Sequence, residues 1–93
     1  MMYRFKLLAL FFLLAGTVSA QFNEESVQLY NKGQQLFLQG KTDASIAMLT
    51  KAIQADSSNV NAWVRRGFVK STASDFDGEM ADYTWVIEHH PAH

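Results

Sequence analysis

Three histidines, His89, His90 and His93, gather at the end of this chain, and four carboxylates, Asp75, Asp77, Glu79 and Asp82, lie just upstream. Imidazole and carboxylate are the ligands that zinc and related metals take. The spacing argues against such a site. Pro91 ends any helix here, so no pair of histidines four residues apart is presented on one face, and Glu88 is the one firm acidic neighbour. The carboxylates, spaced two, two and three apart, do not follow a calcium loop, which needs an ordered ligand series, a glycine and a closing glutamate. Asp75 and Asp77 read better as turn and cap residues. No serine sits in a G-x-S-x-G elbow, and no glycine-rich loop is built to cradle phosphate. The chain has no cysteine, which excludes a thiolate metal site and lipid attachment at an N-terminal cysteine. The pattern predicts no catalytic residue, no cofactor and no metal site. A small hydrolase or metal binder is the distant alternative.

The elements that would position any binding residue show a repeat. When residues 26–59 are laid over 60–93, an offset of 34, five positions are identical: Gly33/Gly67, Asp43/Asp77, Ala47/Ala81, Thr50/Thr84 and Ile53/Ile87. Others match in kind, among them Leu29 with Trp63, Lys32 with Arg66, Ile46 with Met80 and Leu49 with Tyr83. Each unit reads as two helices. In the first, Leu29, Leu36 and Phe37 recur at helical steps over Ser26–Gln39. Gly40 then supplies a stop, and Asp43 is the expected N-cap of a helix carrying Ile46, Leu49, Ala52 and Ile53. The second unit predicts helices over about 61–72 and 77–89, with a break at Ser74-Asp75. No stretch alternates with period two, so the fold class is all-α. The matched glycines mark where two helices cross closely. Glycine inside a helix costs up to about 1 kcal/mol of propensity, which tight packing must return.

Residues 1–20 have the layout of a secretory signal peptide. Arg4 and Lys6 precede an uncharged apolar run from Leu7 to Ala15, and Val18 and Ala20 stand at −3 and −1 to a cut before Gln21. The run is about half of the roughly 20 residues needed to span a bilayer. Residues 21–25 form a short linker, 26–59 the first repeat and 60–93 the second. Cleavage would remove two of the eight basic residues and leave six against nine acidic ones, a net charge near −3. That balance gives no reason to expect a nucleic acid partner. Export without disulfides fits a bacterial periplasm or cell exterior. An uncleaved segment would instead make the chain a membrane-tethered assembly factor, the alternative reading.

A unit of 34 residues with a large apolar residue and a glycine four positions later resembles the tetratricopeptide repeat. In the second unit Trp63, Gly67, Phe76, Tyr83 and Pro91 fall where that family favours an aromatic, glycine, two further aromatics and proline. In the first, Leu29, Gly33, Leu36, Gly40, Leu49 and Ala52 fit. Glu79 departs, standing where a small residue is usual and where the first unit has Ser45. The resemblance implies a short right-handed α-solenoid of two helix–turn–helix repeats. It implies a protein-interaction module that binds a peptide segment or partner helix on a concave face built from the first helix of each unit. That face would show Val27, Tyr30, Asn31, Gln34 and Phe37 from one unit and Asn61, Val64, Arg65, Phe68 and Ser71 from the other. Aromatic and amide groups with one cation suit an apolar anchor, a hydrogen-bonding backbone and a carboxylate for Arg65. The family's chaperone-tail clamp is not expected, because Tyr30 and Gln34 stand where its first repeat wants lysine and asparagine.

Repeat arrays usually need about three units and a polar cap. Here Met80, Tyr83, Trp85 and Ile87 lie on a last helix with no further helix to cover them. Three explanations stand side by side: a longer array, a homodimer formed through Tyr83, Trp85 and Ile87, or a domain completed by its partner.

Overall fold

The computed structural model describes residues 23–90, and these form four helices joined by short loops. They are α1 (Glu24–Leu38), α2 (Thr42–Ala55), α3 (Val60–Thr72) and α4 (Phe76–His89). There is no strand among the described residues, which are all-α. The expected signal segment 1–20, Pro91 and His93 lie outside the described residues.

Local chemistry fixes the ends. Asn23 caps α1 by accepting from the Ser26 N–H at 3.3 Å, so the helix starts at Glu24, two residues ahead of the start expected at Ser26. Glu24 and Glu25 then sit in the first turn, where the helix dipole favours negative charge. The second helix begins at Thr42 behind Lys41, so Asp43 lies in its first turn rather than capping it. Asp75 does cap α4, accepting from the Gly78 N–H at 2.9 Å.

The same backbone bonds recur 34 residues on. After α1, Lys41 N–H bonds Leu36 O and Gly40 N–H bonds Phe37 O, the paired closure of a Schellman motif. After α3, Asp75 bonds Lys70 O and Ser74 bonds Ser71 O in the same way. The turn residue is left-handed in both, Gly40 at φ +79° and Ser74 at φ +63°. The pairs Ser45→Lys41 and Glu79→Asp75, and Asp56→Ala52 and His90→Val86, repeat at the same step.

Within the first hairpin Ser26 Oγ donates to Ala52 O and Ser45 Oγ to Gly33 O, each at 2.7 Å, an antiparallel register. The matched glycines sit at the crossings. A Cβ at Gly33 would come within 2.8 Å of Leu49, and one at Gly67 within 2.7 Å of the Tyr83 ring. Each helix packs on the next in the chain, and α1 also meets α3, whereas α2 and α4 do not touch. The core runs through Leu49, Ala52, Ile53, Ala62 and Val69, all buried. Asn59 links the hairpins by donating to Ser26 Oγ at 3.0 Å.

Candidate functional site

The contact of α1 with α3 lines up their outward residues. Tyr30, Gln34 and Phe37 follow Val27 at steps of three, four and three, as Val64, Phe68 and Ser71 follow Asn61. Helical periodicity puts each set on one face. The Phe37 and Phe68 rings meet edge to face, with centroids 5.7 Å apart and planes at 78°. That is the geometry aromatic quadrupoles prefer. The Arg65 guanidinium lies 5.6 Å from the centre of the Phe68 ring. Phe68 nevertheless remains 41% exposed, Val64 43% and Val27 37%, a strip of apolar surface open to solvent. Tyr30, Gln34, Phe37 and Arg65 are half-buried, and Asn31 and Asn61 are exposed at the edges. Tyr30 also packs against the Ala52–Ile53–Ala62 core, which holds its ring in place. The Ser71 hydroxyl donates to Phe68 O of its own helix at 2.6 Å.

The face combines an apolar strip with amide groups and one cation. The apolar strip takes side chains, the amides of Asn31, Gln34 and Asn61 can meet a backbone, and Arg65 makes no ion pair among the described residues.

Behind this face lies a polar cluster that sequence reasoning missed. Asp82, 1% exposed, receives Arg66 through two bonds, Nε–Oδ2 at 2.9 Å and Nη2–Oδ1 at 2.7 Å. Lys70 Nζ approaches Asp82 Oδ2 at 3.5 Å, and Arg66 Nη1 donates to Thr50 Oγ1 at 3.2 Å. The fork-shaped pairing is the strong form of a carboxylate contact. Arg66 and Asp82 directly precede Gly67 and Tyr83, the residues that touch at the crossing.

Trp85 belongs to the hairpin too. Its ring stacks on Trp63 at 4.0 Å and 6°, and His89 stacks on its other side at 4.1 Å. It is half-buried, and Tyr83 is half-buried over Gly67, where burial, aided by Glu79, pushes its hydroxyl above the ordinary tyrosine range. Of the three residues read as a self-association face, Ile87 alone is open, at 68% exposure, and Phe76 and Met80 join it. His89 Nδ1 lies 2.9 Å from Trp85 O. Among the described residues no three His, Asp or Glu side chains converge on one point, and no helix is long and apolar enough to cross a membrane.

No family model matches this chain, and no curated protein shows significant similarity to it.

Proposed function

We propose that this chain is an interaction module of the tetratricopeptide type that holds an extended peptide segment along the α1/α3 face. The segment has an apolar or aromatic anchor for the strip between Phe37 and Phe68 and a carboxylate nearby for Arg65. The carrying observation is the Phe37–Phe68 pair, half open to solvent and bordered by amides and one cation. Solvent-exposed apolar strips with a polar rim are the common form of a recognition surface. The hairpin bonds that recur at 34 residues support the family reading. The layout of residues 1–20 supports export, with N-terminal sequencing expected to begin at Gln21.

The test is an amide-resolved NMR titration with a peptide panel: an aromatic anchor followed by aspartates, the same peptide with alanine for the anchor, and one with lysines for the acids. The proposal expects shifts at Tyr30, Val64, Arg65 and Phe68 with the first peptide. Loss of the anchor, or Phe68→Ala in the protein, should weaken binding roughly tenfold. Arg65→Glu should reverse the preference between acidic and basic peptides. Shifts confined to α4, or binding indifferent to the anchor, overturn it.

A further inference from the structure

The peptide face is shared between the two hairpins, so its shape depends on what fixes α3 against the first of them. The contact of α1 with α3 is slight beside that of α2 with α3, so the place of Phe68 relative to Phe37 is set mainly through α2. Near the α2–α3 loop the tie is apolar packing of Ala52, Ile53 and Ala62, with Asn59 bonded to Ser26 Oγ at 3.0 Å. Ser26 adjoins Val27 at one end of the face, and Phe37 lies ten residues beyond Val27, about 15 Å along the helix. Apolar packing is not directional, and a pin at one end leaves the far end free to swing.

Arg66 supplies a directional tie nearer the ring pair, two residues before Phe68 on α3. Asp82 of α4 takes its Nε and Nη2, and the Trp63 ring centre lies 5.1 Å from its guanidinium carbon. Nη1 is left to donate to Thr50 Oγ1 of α2, at 3.2 Å. The Thr50 hydroxyl gives its own proton to Ile46 O at 2.8 Å, so its oxygen meets Arg66 as an acceptor. One guanidinium, with its plane fixed by Asp82, thus joins α2, α3 and α4.

We infer that Arg66, acting through Thr50, is a positioning residue for the shared face: it sets the angle between the hairpins at which Phe37 and Phe68 meet. Its effect on affinity rests on the peptide reading above, whereas its effect on the angle does not.

Two variants break the tie from opposite sides. Thr50→Val keeps the shape of the side chain and removes the acceptor. Arg66→Lys keeps a cation for Asp82 and loses the fork. Residual dipolar couplings of the free protein read the angle between α1 and α3. Each variant should change that angle, weaken the Phe37–Phe68 ring cross-peak and weaken the anchored aspartate peptide by about fivefold, with helical circular dichroism unchanged. The double variant should bind no more weakly than the weaker single one, because both remove the same bond. Thr50→Ser, which keeps the hydroxyl, should match the parent in angle and affinity. A role in stability alone would lower the melting temperature and leave the couplings of the folded protein as they were. Unchanged couplings in Thr50→Val and Arg66→Lys therefore overturn the inference. So do additive losses in the double variant, or a Thr50→Ser variant that behaves like Thr50→Val. A parent chain that binds no peptide removes the peptide reading alone, and the couplings still decide the role of Arg66.

Discussion

The two hairpins share one backbone plan and close it with opposite chemistry. In the first, Gly33 meets Leu49, and two buried hydroxyls, Ser26 and Ser45, donate to carbonyls of the facing helix. In the second, Gly67 meets Tyr83, and a buried carboxylate draws in Arg66 and Lys70. Lys70 stands where the first hairpin has buried Leu36, Asp82 where it has Met48, and Glu79 where it has Ser45. The comparison teaches that the register of the crossing is held by the glycines and the turn, whereas the filling can be apolar or ionic. Ionic filling has a consequence. Each charge is stabilised only while its partner remains, so the second hairpin is the more brittle of the two.

The largest effect should come from the crossing itself. Gly67→Leu drives a side chain into the Tyr83 ring and the Asp82 Cβ, 2.7 and 3.2 Å from where its own Cβ would be. A loss of about 3 kcal/mol in urea unfolding is expected. An unchanged midpoint would remove the packing argument for both glycines. Next comes Asp82→Asn, which leaves Arg66 and Lys70 without their carboxylate. Their side chains are 14% and 18% exposed, so some charge reaches water, and the expected loss is about 2 kcal/mol. Replacing the ionic filling of the second hairpin with an apolar one sharpens the contrast. Arg66→Leu, Lys70→Leu and Asp82→Met together should recover stability to within about 1 kcal/mol of the parent. If the triple variant is as unstable as Asp82→Asn, the cluster is not exchangeable for apolar packing.

A smaller effect belongs to the turns. Ser74 holds the left-handed conformation that Gly40 holds in the first hairpin, and a side chain is strained there. Ser74→Gly should raise stability by about 0.5–1 kcal/mol and Gly40→Ser should lower it similarly, read as opposite shifts in melting temperature. The smallest concerns pH. Asp56 accepts from the Ser58 hydroxyl and from the N–H groups of Asn23 and Ser58, which hold its carboxyl below the usual carboxylate range. A lowered folded value stabilises the fold above the unfolded value of 3.8, and that contribution is lost as pH falls through the folded value. In melting curves taken from pH 5 downward, Asp56→Asn should therefore lower stability at pH 5 and flatten the acid-side slope. An identical slope would show that the Asn23–Asp56 tie contributes nothing.

The helical class and the crossing register were legible because both rest on short-range spacing. Apolar steps of three and four mark the helices, and Gly33 and Gly67 mark the contacts. The aromatic face was partly legible: Phe37 and Phe68 fall on the outward side by periodicity. Their ring contact spans 31 positions, however, and needs α1 to lie beside α3. The Arg66–Asp82 pair was hidden because each looks like an ordinary solvated charge when taken alone, and only the crossing brings them together. The setting of Trp85 was hidden for a similar reason. Its partner by the repeat, Lys51, is exposed, and the stack on Trp63 that half-buries Trp85 has no counterpart in the first hairpin.

The shared face requires α1 and α3 to lie side by side with their aromatic residues meeting on the outer side. Nuclear Overhauser contacts in the free protein test this directly. Cross-peaks are expected between the ring protons of Phe37 and Phe68, whose centroids are 5.7 Å apart, and between Gly67 Hα and the Tyr83 ring. A spectrum with the second contact and without the first would keep the hairpin and contradict the shared face on which peptide binding rests.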